Sequence, residues 1–278
     1  MIASVLERFL YSKRFSHVLV FFILGVVFSL LAIFLALQTK VGFVALFIIA
    51  IAILPVVNRR ISLSALLAGR ITRSTKSGVL MEDITFRAKR WKLSQFFSDF
   101  WPLFEVYLVY FVTVFAAFIL LGAWLDFGSI TSIFELQFGI FRPGMSVSLE
   151  GLLINNLGVL FLGFLISFVF EFGTTFVVVR NAIFWGLTLG IFMTAFPGNF
   201  LSLLLILPHL LLEASSYFVS SIAGGVLSKA VTAEKISSER FYSLFTQVAS
   251  LLLVSVVLVL IAGLIEVIVF NSVLPQLL

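Results

Sequence analysis

The chain of 278 residues is 62% hydrophobic and only 11% charged, against roughly 25% charged in a soluble domain. So few charges cannot coat a globular surface, and the apolar solvent they imply is the core of a bilayer, which a helix crosses with about 20 apolar residues. The net charge of +5 is no nucleic-acid signature, since in a membrane protein the placement of Lys and Arg matters more than their sum, and the absence of Cys excludes disulfides, iron–sulfur clusters and thiolate zinc sites.

In chain order, Lys13 and Arg14 precede the apolar run Val18–Leu37. That run is longer than the roughly 7–15 residues of a signal-peptide core, and it reads as a retained first helix. Seven apolar segments follow one another at 18–38, 41–57, 105–125, 152–170, 176–196, 200–222 and 246–270. Backbone groups in lipid must pair within helices or a closed barrel. The runs are continuous rather than alternating, which excludes the barrel. The expected fold is all-α: a polytopic bundle of about seven spanning helices. The first two segments, joined through Thr39-Lys40-Val41, form a helical hairpin within 1–57. Residues 58–104 form a basic loop, and 105–278 the main membrane bundle.

Basic residues set the expected orientation. Arg8, Lys13 and Arg14 lie in the N-terminal tail, nine more in loop 58–104, Arg180 in segment 171–180, and Lys229, Lys235 and Arg240 in loop 223–245. With seven alternating helices these share one side, leaving Lys40 and Arg142 opposite. The positive-inside rule then puts the N-terminus in the cytoplasm and the C-terminus outside. Within loop 58–104, Phe86-Arg-Ala-Lys-Arg-Trp-Lys-Leu-Ser-Gln-Phe-Phe interleaves basic and aromatic residues, as an interfacial helix on anionic lipid would. A solvated connector is an equal reading. The outer loop 126–151 is unusually apolar, with Ile130, Ile133, Phe134, Leu136, Phe138, Ile140 and Phe141. It is expected to lie in the outer interface or to fold back over the bundle.

Polar groups at membrane depth are costly and need a partner or a purpose. They are Asn155 and Asn156 in the fourth segment, Asn181 in the fifth, His209 and Glu213 in the sixth, and Glu266 in the seventh. His209 and Glu213, four residues apart, share a helix face. Pro208 before them leaves two geometries open. In one, a helix from about 200 is kinked at Pro208. In the preferred one, 198–207 is re-entrant and the spanning helix starts at Pro208. The latter brings Asn155, Asn156, His209, Glu213 and Glu266 into one polar cluster in the outer half of the bundle. Asn181, entering from the other side, is a secondary polar position outside it.

Three uses are open for the cluster: a hydrogen-bond network that fixes helix packing, a binding or proton-coupled site, or a zinc site. One His with two carboxylates is a thin ligand set. H-E-x-x-H, a Ser/His/Asp arrangement and a phosphate-binding glycine loop are missing. No metal, cofactor or catalytic residue is expected.

At these residues the sequence resembles the stage II sporulation protein M family of integral membrane proteins, especially its archaeal-type members. The resemblance rests on Leu153-Ile154-Asn155-Asn156, on Arg180-Asn181-Ala182 followed by Gly186 and Gly190, on Leu207-Pro208-His209 followed by Glu213 and Ala223-Gly224-Gly225, and on Gly263-Leu264-Ile265-Glu266-Val267. It is strongest over 150–271. The resemblance implies a membrane scaffold that recruits other proteins, without implying sporulation. The leading expectation is therefore a non-enzymatic scaffold, multi-pass in the plasma membrane, in contact with the lipid bilayer and with a protein partner or a second copy, and with no nucleic acid. Its rivals are the permease component of a transporter, with Glu213 and Glu266 on the pathway, and an intramembrane metal-dependent enzyme using His209 and Glu213.

Overall fold

A computed structural model describes residues 14–54, 100–138, 148–170, 173–195, 200–269 and 271. Those residues form eight helices and no strand. They are α1 (Arg14–Thr39), α2 (Gly42–Leu54), α3 (Trp101–Trp124), α4 (Phe127–Phe138), α5 (Leu149–Val169), α6 (Gly173–Ala195), α7 (Phe200–Ala233) and α8 (Glu239–Ile268). Six of them, α1, α3, α5, α6, α7 and α8, are long and apolar enough to cross a membrane. The second expected span is described only over Gly42–Leu54, about 20 Å at 1.5 Å per residue. Residues 55–57 of that segment, and the proposed interfacial helix of loop 58–104, lie outside the described residues.

Local chemistry marks the ends. Ser148 and Ser238 cap α5 and α8, their hydroxyls accepting from the N–H of Gly151 and Phe241, each at 3.1 Å. Lys40, with a φ of 57°, takes the left-handed conformation that closes α1 and starts the turn into α2. Asp126 precedes α4 and accepts from the N–H of Ser129 at 2.9 Å and from its hydroxyl at 2.6 Å. These bonds, the hydroxyl's first and the backbone's second, hold the exposed Asp126 carboxyl below its ordinary range. Part of the expected outer loop is thus a helix. α4 buries Ile130, Ile133 and Phe134, with Phe134 edge-on to Phe118 of α3 at 6.2 Å and against Gly42.

Two pairs of parallel helices make the core. α3 lies against α6, where Gly186-Leu-Thr-Leu-Gly190 presents two glycines one turn apart. A Cβ at Gly186 would stand 2.7 Å from the Phe115 carbonyl oxygen, and one at Gly190 would strike the Ile119 carbonyl. Both backbones therefore meet directly, the small-xxx-small arrangement of membrane helices. Contacts climb α3 and α6 together, from Phe115 with Gly186 to Ala123 with Gly190, so the two run parallel. α5 and α7 repeat the pattern: Ser220 Oγ donates to the Leu160 carbonyl at 2.9 Å, and Gly224 abuts the Phe164 backbone. α8 returns antiparallel to α7 through the turn at 234–238 and packs extensively on it. α1 leans on α3, where Gly25 meets Thr113, and α2 is tied to α3 by the Tyr110 hydroxyl donating to the Ile49 carbonyl at 2.7 Å.

The central helix corrects one expectation. α7 is continuous from Phe200, with Pro208 inside it, so no separate re-entrant piece precedes a helix starting at Pro208. Pro208 withholds one N–H from the ladder. A membrane helix tolerates that loss when neighbouring groups compensate, and the apolar residues before Pro208 favour helix over irregular backbone in lipid.

Candidate functional site

α7 is 34 residues long, and 78% of its spanning window is buried. It carries the polar groups at helical spacing. His209, Glu213 and Tyr217 follow at intervals of four, so they stack on one face. All three are buried. The Tyr217 hydroxyl donates to Glu213 Oε1 at 2.5 Å. Glu266 of α8 lies within electrostatic reach of both Glu213 and Tyr217. Arg180 of α6, half-buried, lies within reach of Tyr217. Arg180, Tyr217, Glu213 and Glu266 thus bring polar groups of three helices within electrostatic reach of one another.

Helix register places the remaining residues. The contacts of Leu160 with Ser220 and Phe164 with Gly224 keep one offset between α5 and α7, which sets Leu153 level with Glu213. Leu153 also touches Gly263 of α8. In that layer, His209 and Glu266 stand one turn to one side and Asn156 one turn to the other, a span of about 10 Å at 1.5 Å per residue. The side chains converge for a geometric reason. Every Cα–Cβ bond tilts toward its helix N-terminus, so Glu213 on α7 and Glu266 on the antiparallel α8 lean toward each other.

The expected residues divide. Glu213 and His209 are buried around this layer, Glu266 is half-buried beside it, and Asn156 is 2% exposed with its Nδ2 lacking a hydrogen-bond partner. Asn155 is exposed on the outer side of α5 and donates through Nδ2 to Asn156 Oδ1 at 3.0 Å. Asn181 is buried but bonds to its own helix, donating to the Val177 carbonyl at 2.8 Å. Among the described residues, no three His, Cys, Asp or Glu come together as a metal-binding group.

Two members were not expected. Tyr217 could have been found by extending the four-residue spacing from His209 through Glu213. Arg180 was assigned to the positively charged cytoplasmic side, whereas it lies within the span Thr175–Ala195. The apolar Val177-Val178-Val179 before it was the available signal. Aromatic packing walls the network. Trp185 stacks on Tyr217 at 6.3 Å and meets Phe111 edge-on at 5.9 Å, and Phe218 packs against Phe104, Tyr107 and Phe111.

A bundle of this kind, with ionisable groups joined across its core and apolar helices around them, defines a polytopic helical membrane protein. The family model for stage II sporulation protein M matches residues 111–269, from within α3 to the end of α8. The chain belongs to the stage II sporulation protein M family. No curated protein and no solved structure matches it.

Proposed function

We infer that the protein is a non-enzymatic scaffold of the plasma membrane that anchors partner proteins at the bilayer. The observation that supports this reading is the close packing of the two parallel pairs. Where α3 meets α6 and α5 meets α7, backbone lies on backbone with no room for a Cβ at Gly186, Gly190 or Gly224. Close-packed interfaces of this sort do not deform continuously, and a fixed shape suits a platform. α4 belongs to the platform, because its buried Ile130, Ile133 and Phe134 pin it while Phe127 and Ser132 stay exposed.

A second reading, the permease component of a transporter, is favoured by the approach of Glu213 and Glu266, since paired ionisable groups at membrane depth mark transport pathways. Mild-detergent purification followed by mass spectrometry separates the two. The scaffold reading expects a stoichiometric protein partner that is lost on Phe127→Glu and Ser132→Glu, with insertion and thermal stability unchanged. A co-purifying ATPase, together with solute flux in proteoliposomes that Glu213→Gln abolishes, would replace it with the permease.

A further inference from the structure

The faces that α1 and α8 turn to lipid are built of large apolar residues, such as Phe22, Val27 and Phe34 on α1 and Leu253, Val257 and Leu264 on α8. α5 mixes such residues, Ile154 and Phe161 among them, with small and polar ones. On its exposed side Gly151, Asn155, Gly158, Leu162, Leu165 and Val169 follow one another at alternating spacings of four and three. That 3.5-residue repeat is the one by which two helices interlock side chains. The first three are small or polar rather than large and apolar. A Cβ built on Gly158 meets nothing within 4 Å, so the space beside Asn155 is open.

Asn155 sits six residues into the span Leu149–Val169, about 9 Å deep at 1.5 Å per residue. The span is about as long as the hydrocarbon core is thick, and the exposed Glu150 marks its start, so this depth has little slack. The bond to Asn156 uses one N–H of the Asn155 amide. The second N–H and the carbonyl oxygen face a medium that offers neither donor nor acceptor.

We propose that this face of α5 is where two copies of the chain pair in the bilayer, Asn155 of one copy against Asn155 of the other. An amide is both donor and acceptor, so it is self-complementary across a two-fold axis, where the same patch meets itself. A lipid tail cannot satisfy it. Gly151 and Gly158 flank it on the same stripe and let the second backbone come close, as small residues do between membrane helices. A single polar residue in such a seam also fixes its register. The pairing is independent of the scaffold reading and would stand if that reading fell.

The natural absence of Cys makes the test clean. Single-cysteine variants Gly158→Cys and Leu162→Cys, treated with a thiol cross-linker in native membranes, are expected to give a species of doubled mass. Val257→Cys, equally lipid-facing but on α8, is expected to stay single. Leu162→Cys leaves both glycines in place and so reports even if Gly158→Cys fails to fold. Adding Asn155→Leu to it should weaken pairing about three- to twentyfold, the range set by one interhelical hydrogen bond in a membrane. The proposal is overturned by single species from both α5 positions, by equal cross-linking through Val257→Cys, by a cross-link to a different protein, or by cross-linking that Asn155→Leu leaves unchanged.

Discussion

α7 and α8 are neighbours, joined by a short turn, and of similar length, yet they solve opposite problems. Of the spanning window, 78% is buried in α7 and 33% in α8. The buried helix is the more polar of the two. It places Ser216, Ser220, Ser221 and Ser228 with Glu213 and Tyr217 in the core, whereas α8 turns Leu253, Val257, Leu260 and Leu264 to the outside. In water the most apolar helix would be the innermost. In lipid there is no hydrophobic force between helices, so small and polar residues provide contact and the greasiest helices face the solvent.

That contrast can be broken most severely at a backbone contact. Gly224→Leu has to force α7 away from Phe164 and Ser167 on α5, and overpacking of this kind costs about 1–3 kcal/mol or more. Thermal unfolding in detergent should show a lower midpoint and a reduced folded yield, while Gly158→Leu, on the open side of α5, should leave the midpoint of the single chain where it is. Equal losses would mean the two faces of α5 are not distinct.

Next in size is the buried hydrogen bond. Tyr217→Phe leaves Glu213 Oε1 without its donor, a loss of about 1–3 kcal/mol for a buried group left unpaired. The same thermal assay should place Tyr217→Phe well below Tyr242→Phe, whose side chain is 61% exposed. Ser220→Ala removes the bond to the Leu160 carbonyl, and typical interhelical bonds in membranes predict a loss of about 0.6 kcal/mol, at most about 1.7.

The smallest effect concerns the exposed cap of α4. The carboxyl of Asp126 is held below its unfolded value, so its stabilising contribution is complete above the ordinary aspartate pKa of about 3.9. It is lost as pH falls through the lower folded value. Amide exchange at Ser129 should speed up in acid relative to the intrinsic rate, and Asp126→Asn should remove that pH dependence.

Helix existence and order were readable because runs such as 105–125 and 152–170 are too long and apolar to be anything else in a chain with so few charges. Helix length was not. The segments 200–222 and 246–270 mark lipid-like stretches, whereas α7 continues to Ala233 and α8 begins at Glu239, since serine and lysine stay helical without being apolar. The apolar Ile130, Ile133 and Phe134 were visible in the outer loop, but α4 as a helix was not, because a segment of this length is too short to show a spanning run. At the polar centre, His209 and Glu213 were visible from spacing alone. Tyr217 reads as an ordinary aromatic until its hydroxyl is placed, and Arg180 reads as a boundary charge until the register of α6 is known.

The length of α7 has one more consequence. At 1.5 Å per residue its 34 residues extend about 51 Å, well beyond a hydrocarbon core of about 30 Å. The offset between α5 and α7 sets Leu149 level with His209 and Val169 level with Lys229, so α7 overhangs both ends of α5, and the turn at 234–238, where Lys235, Ile236 and Ser237 are exposed, lies beyond the end of that span. That turn is a built-in marker of sidedness. A protease site inserted between Ile236 and Ser237 should be cut from one face of sealed vesicles alone, the cytoplasmic one if the basic residues govern insertion. Because α5 and α7 run together, α8 opposes α7, α6 opposes α5 where Gly163 meets Val177 and Gly173 meets Ile166, and α3 runs with α6, a single cut would orient five helices at once.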